Sequence, residues 1–189
     1  PKEAQKKLNL PRNPRDYTSI AVTTDDSNDE IVYASSMGDG VIQYKNGTPV
    51  QSYNEKNAFK ETAGGYGSGY CYIDGLAFDK NGNLWMTSSE VNHAVLVVDK
   101  AGAWHRLDIE QLRGVYTIND ILITSTNDKW IYVPRNTPKL VMIPNSESLD
   151  EVSSYEFTTL IDTDGKELTP SNYTCVAEDK DGYIWVGTN

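Results

Sequence analysis

A chain of 189 residues is long enough to bury a substantial core as one domain, and its 17 Lys and Arg against 27 Asp and Glu leave a formal charge of −10. That imbalance repels nucleic acid and anionic membrane, so neither is expected as a partner. No apolar run reaches the roughly 20 residues of a membrane span, and no signal-peptide pattern opens at Pro1, which implies no direct membrane insertion by this segment.

In chain order, residues 1–16 form a basic arm of net charge +3 carried by Lys2, Lys6, Lys7, Arg12 and Arg15 against Glu3 and Asp16. The arm reads either as a docking segment or as a solvated connection. Residues 17–189 then read as blades of sheet. Strands are predicted at Ile20–Thr24, Ile31–Ser35, Gly40–Tyr44 and Pro49–Tyr53, with Asn46-Gly47 as a hairpin turn between the last two. Asn54 to Tyr72 is a connection containing Gly64-Gly65-Tyr66-Gly67-Ser68-Gly69-Tyr70. Its glycines let backbone approach a ligand, and Tyr66 and Tyr70 are candidates to stack on a sugar ring or peptide face. The alternative is that they tuck against the blade.

The second blade opens on Ile73 to Thr87, the phrase that the rest of the chain repeats. An apolar strand runs into the turn Asp79-Lys80-Asn81-Gly82, and Asn83-Leu84-Trp85-Met86-Thr87 returns. Ala94–Asp99 and Trp104–Leu107 complete that blade, with Trp104 expected to pack on the outer strand. The third is predicted at Ile118–Thr124, Lys129–Val133, Lys139–Ile143 and Tyr155–Ile161, with Asn127 where Gly82 stands. The fourth, within the copy Tyr173 to Thr188, stops after two strands at Asn189. In the second and fourth copies, Asp79 and Asp179 lie six residues before Trp85 and Trp185, and Gly82 and Gly182 lie three before them. Taking Tyr33, Trp85, Trp130 and Trp185 as anchors gives spacings of 52, 45 and 55. A period near 40 to 50 with several short strands in each signals an all-β propeller, here about three and a half four-stranded blades. Such an arc does not close a ring, which predicts either an excerpt of a longer propeller or self-association through open blade edges.

No catalytic constellation emerges. His93 and His105 stand in neither a nucleophile nor a zinc spacing, and Asp79 and Asp179 are explained as turn carboxylates accepting backbone N–H groups. Asp179-Lys180-Asp181-Gly182 begins like a calcium loop but lacks its later ligands, so no metal and no cofactor are expected. Cys71 and Cys175 occupy different repeat positions and are not expected to pair. Eleven residues before each Trp stand Asp74, Asn119 and Thr174. These three either line the central channel as binding residues or tie adjacent strands by hydrogen bonds.

The phrases Asp79-Lys80-Asn81-Gly82-Asn83-Leu84-Trp85 and Asp179-Lys180-Asp181-Gly182-Tyr183-Ile184-Trp185-Val186-Gly187-Thr188 resemble the two-component-regulator propeller repeat of periplasmic sensor regions in Bacteroidetes hybrid histidine kinases. The longer string from Ile73 through Trp104, and Tyr33 to Val41, look like the propeller of PorZ-type proteins of the Por (type IX) secretion system. The resemblance implies a non-enzymatic recognition or scaffolding segment of a larger protein in the periplasm or at the cell surface, with a glycan or an envelope protein as partner. A propeller lyase or glycosidase is the third reading, and it requires carboxylates or histidines converging in one cleft.

Overall fold

The computed structural model describes residues 16–64 and 69–189. Tyr66 and residues 1–15 of the basic arm lie outside them. The first blade is a meander of β1 (Tyr17–Thr24), β2 (Glu30–Gly38), β3 (Gly40–Lys45) and β4 (Thr48–Tyr53). The second is β5 (Cys71–Phe78), β6 (Leu84–Ser88), β7 (Val95–Val98) and β8 (Trp104–Leu107), joined to the first where Met37 and Gly38 pair with Tyr72 and Cys71. The third is β9 (Ile121–Ile123), β10 (Lys129–Val133), β11 (Lys139–Ile143) and β12 (Tyr155–Phe157). A small hairpin, β13 (Leu160–Ile161) with β14 (Glu167–Leu168), precedes the two-stranded half blade β15 (Tyr173–Glu178) and β16 (Ile184–Thr188).

Three expectations need correction. Tyr155–Ile161 is not one strand: Tyr155–Phe157 pairs with β11, whereas Leu160 and Ile161 fold onto Leu168 and Glu167. The Asp162 carboxylate causes this by closing a tight turn of its own. Ile118–Thr124 shortens to Ile121–Ile123, because Asn119 and Asp120 form an irregularity ahead of it. The first anchor also moves. Ile31 lies opposite Thr23 as Trp85 lies opposite Ala77 and Trp185 opposite Ala177, so the repeat equivalent of Trp85 is Ile31, and Tyr33 follows two residues later on the same face.

The apolar core lies in the seams between blades. Successive side chains of a strand point to opposite faces, and in the second blade each face meets a different neighbour. Leu84, Met86 and Leu96 pack with Val41, Phe59 and Ile73 toward the first blade. Trp85, Val95 and Val97 pack with Ile121, Ile131 and Val141 toward the third. A strand used on both faces is apolar where both seams are packed, which is why Leu84, Trp85 and Met86 of β6 and all of β7 read as unbroken runs. The third seam holds Tyr132, Leu140 and Tyr173, with Trp130 stacked on Phe157 at 5.5 Å. Trp104 packs edge-on to Phe59 (5.6 Å) and close to Tyr53 (5.4 Å), as an outer-strand residue should.

Among the described residues one turn occurs six times. Asp25, Asp79, Asp99, Thr124, Asp162 and Asp179 each accept the backbone N–H four residues on through a side-chain oxygen at 2.8–3.0 Å. The residue three on, Asn28, Gly82, Gly102, Asn127, Gly165 or Gly182, takes a left-handed φ between 62° and 87°. Gly and Asn tolerate that conformation best, so Asn127 reproduces the turn with Asn in place of Gly. The second carboxylate oxygen then takes a donor six residues on: Trp85 Nε1 at 2.9 Å from Asp79, Trp185 Nε1 at 2.7 Å from Asp179, and His105 Nε2 at 3.0 Å from Asp99.

Candidate functional site

Asp74, Asn119 and Thr174 occupy one structural position. Each begins an irregularity at the start of the first strand of its blade, with Gly75, Asp120 and Cys175 as the second residue. In the second blade this is a bulge, with Asp74 and Gly75 together opposing Thr87. Bulges re-aim side chains and end pairing, which here turns one polar group per blade onto the inner rim.

Hydrogen bonds run from blade to blade along that rim. Ser89 donates to Asp74 at 2.7 Å and accepts the Ile118 N–H at 2.8 Å. Thr87 accepts the Gly75 N–H at 2.9 Å and donates to the Asn119 carbonyl at 3.0 Å. The Asn119 amide donates to the Tyr132 hydroxyl at 3.3 Å, and that hydroxyl donates to the Thr174 carbonyl at 3.2 Å. Asp74, Asn119 and Thr174 therefore stand in one hydrogen-bonded line. Ser89, Thr87 and Tyr132 belong to it, and Asp120 lies beside it against Gly75; none of the four was singled out from the sequence. A signal existed for Asp120, since it follows Asn119 as Gly75 follows Asp74.

Gly75 sets how closely the blades approach. A Cβ there would lie 2.7 Å from the Ile121 nitrogen and 2.8 Å from Asp120 Oδ1. Gly75→Ala is expected to lower stability by roughly 1–3 kcal/mol through overpacking, read as a lower urea midpoint at unchanged slope.

Burial pushes the Asp74 carboxyl up to about 7, against the Ser89 hydrogen bond and with help from the Asp120 charge. Asp120 is exposed, and the partial desolvation by its neighbours raises it in the same direction. A cavity of about 150 Å³ opens between the third blade and the half blade, lined by Asp120, Ile121, Leu122, Tyr132, Cys175 and Val176. It is smaller than a drug-sized pocket and admits one protruding group of a ligand. Tyr70 lies apart from the Asn119–Thr174 end of the line. Its ring covers Gly38, where a Cβ would come within 2.8 Å, and meets Tyr72 edge-on at 6.2 Å. Both cysteines are free, Cys71 buried and Cys175 exposed.

Both histidines hold structure together. His93 Nδ1 pairs with Glu61, whose other oxygen accepts the Asn92 N–H at 2.7 Å and so fastens the 54–70 connection to the β6–β7 loop. His105 fills the position beside Asp99 that Trp85 fills beside Asp79. It also lines an open polar groove of about 500 Å³ with Asp99, Glu147 and Asp150 at the turn end of the second and third blades. Among the described residues no group of three or more His, Cys, Asp or Glu is arranged to hold a metal ion.

Meandering blades packed face to face around an inner strand make this chain an arc of a β-propeller. Over residues 167–189 it matches the Two component regulator propeller family. Its structure is similar to PorZ, described as an essential bacterial surface component of the type-IX secretion system of Porphyromonas gingivalis. That likeness has a TM-score of 0.81 at 20% identity and covers 99% of this chain and 26% of that one. It is also similar to the extracellular domains of BT3049 and BT4673 from B. thetaiotaomicron, each described as a hybrid two component system. For BT3049 the TM-score is 0.56 at 18% identity over 89% of this chain and 20% of that one. For BT4673 it is 0.51 at 18% identity over 88% and 21%. The chain thus spans about a quarter to a fifth of the solved chains it resembles. No curated protein matches the sequence. Among the described residues no helix is long and apolar enough to cross a membrane.

Proposed function

We propose that the chain is a non-enzymatic recognition segment of a larger extracytoplasmic sensor or regulator, with its ligand held at the inner rim by Asp74, Asn119 and Thr174. The observation that carries this reading is the run of hydrogen bonds that links Asp74, Asn119 and Thr174 from three successive blades, with a cavity lined by Asp120, Tyr132 and Cys175, neighbours of Asn119 and Thr174, at one end of it. A glycan suits such a rim, because its hydroxyls both donate and accept along a line of amide, hydroxyl and carboxyl groups. The extracellular setting of the BT3049 and BT4673 domains supports the location. The second reading, a surface component of a secretion apparatus, draws on the fit to PorZ over nearly the whole chain. Its partner would be an envelope protein.

A glycan array probed with the chain and with Thr174→Val tests the first reading. The Thr174 hydroxyl has one weak contact, to Cys175 Sγ at 3.9 Å, so its removal leaves the fold intact. Retention of one glycan class by the parent chain, weakened about tenfold in the variant, is the expected result, equivalent to one lost hydrogen bond of ~1.4 kcal/mol. Equal retention by both would remove Thr174 from the site. A blank array would favour the envelope-protein reading.

A further inference from the structure

β8 is the last strand of its sheet, and its outer edge borders a groove. The Asp99 N–H donates to the Ala103 carbonyl at 2.9 Å, and the register continues through Val98 opposite Trp104 to Leu96 opposite Arg106. Alternation along an antiparallel ladder therefore turns the N–H and C=O of Trp104 and Arg106 outward, to that edge. Residues 146–153 form the other wall. The groove measures about 440 Å³ beside Arg106 and Leu107 and about 500 Å³ beside His105, and Asp150 belongs to both stretches. Leu149 and Val152 pack against the core between the second and third blades, and Ser154 donates to Gln111 Oε1 at 2.9 Å, so this wall is anchored. Its charge is one-sided: Glu147, Asp150 and Glu151 are exposed along it. The guanidinium groups at the edge are already engaged. Arg106 donates to the Ala58 carbonyl at 2.6 Å, and Arg113 forks onto Asp108 at 2.7 and 2.5 Å.

We propose that this groove receives an extended, basic segment of a partner protein, which adds a strand to β8 and sets Lys or Arg at alternate positions against Glu147, Asp150 and Glu151. Main-chain hydrogen bonds to Trp104 and Arg106 fix the position of such a segment, and the carboxylates select its side chains. Because side chains alternate along a strand, every second one reaches the acidic wall, while those between turn to the opposite face, where Trp104 packs with Phe59. The formal charge of −10 steers a basic segment toward the chain, and the three wall carboxylates fix where it settles. This surface lies on the outer strand, away from the inner rim, and does not depend on what the rim binds.

The test uses a capped octapeptide of alternating Lys and Thr, with alternating Glu and Thr as its control, titrated into the parent chain and into the triple variant Glu147→Gln, Asp150→Asn, Glu151→Gln. All three positions are exposed, so the variant keeps the fold. The lysine peptide is expected to bind the parent, to weaken about tenfold or more in the variant and with added salt, and to slow amide hydrogen exchange at Trp104 and Arg106. The glutamate peptide should not bind. Absence of binding by the lysine peptide, equal affinity in parent and variant, or binding that leaves the two amides unprotected would each overturn the proposal. The exchange rates also separate a different occupant. Trp104 and Arg106 amides protected in the free chain, and released by salt, would give the groove to the chain's own basic residues 1–15 instead of a partner. That measurement needs no variant and stands even if the triple variant fails to fold.

Discussion

Trp85→Ala should lower the free energy of unfolding by roughly 3–5 kcal/mol, the range for removing a large aromatic side chain from a packed interior. Trp85 is 2% exposed and fills the seam between the second and third blades. The Lys129 ammonium, in a residue only 1% exposed, lies 4.6 Å from the ring centroid and donates to the Asn127 carbonyl at 2.7 Å. Burial already pulls Lys129 below the ordinary lysine range. Truncating the ring removes the π face that helps to hold this charge and leaves a cavity beside it. The chain carries its own control. Trp185 makes the same hydrogen bond to its turn Asp but is 65% exposed, so Trp185→Ala should cost less than about 1 kcal/mol. Urea denaturation of both variants measures the contrast, and equal losses would show that the turn rather than the seam carries the energy.

The second large effect is expected at Asp79. Its two oxygens accept four donors: the N–H groups of Asn81 and Asn83, the Asn83 amide and the Trp85 indole, each at 2.9 Å. Asp79→Ala leaves buried donors without partners and removes a negative charge that favours ionised Lys129, for a loss of roughly 2–4 kcal/mol. Asp79→Asn should fall between, since an amide can replace the oxygen that serves the backbone but not also the one facing the indole N–H. Denaturation midpoints of the parent and the two variants should rank in that order. A neutral Asp79→Ala would show that water replaces the carboxylate at the turn.

Much of the fold was legible because its repeating element is local. The turn needs only a side-chain acceptor, a residue tolerant of positive φ three positions on and a strand to either side, and all of these are contiguous in sequence. Where the acceptor is Thr124 and the glycine Asn127, the chemistry survives the substitution and so does the strand. The misplaced anchor has a physical origin too. Ile31 and Tyr33 share one face of β2, so an aromatic preference selected Tyr33, whereas the register follows the Asp25 turn, six residues before Ile31. The Asp162 turn was visible as a turn, but its pairing of Leu160 with Leu168 is a competition between partners that spacing does not decide. At the rim, Asp74, Asn119 and Thr174 could be aligned by counting from Trp. Their link through Thr87, Ser89 and Tyr132 crosses from one blade to the next and has no signature in any single repeat.

The alternation of β6 and β7 between two seams has a further consequence. The second blade owns no private interior: Leu84 and Met86 belong with one neighbour, and Trp85 and Val97 with the other. Detaching that blade would strip apolar contact from both flanking blades at once. The arc therefore behaves as a string of nearest-neighbour couplings, in which cooperativity is a property of the joints and the free energy of any one link is shared by the pair it joins.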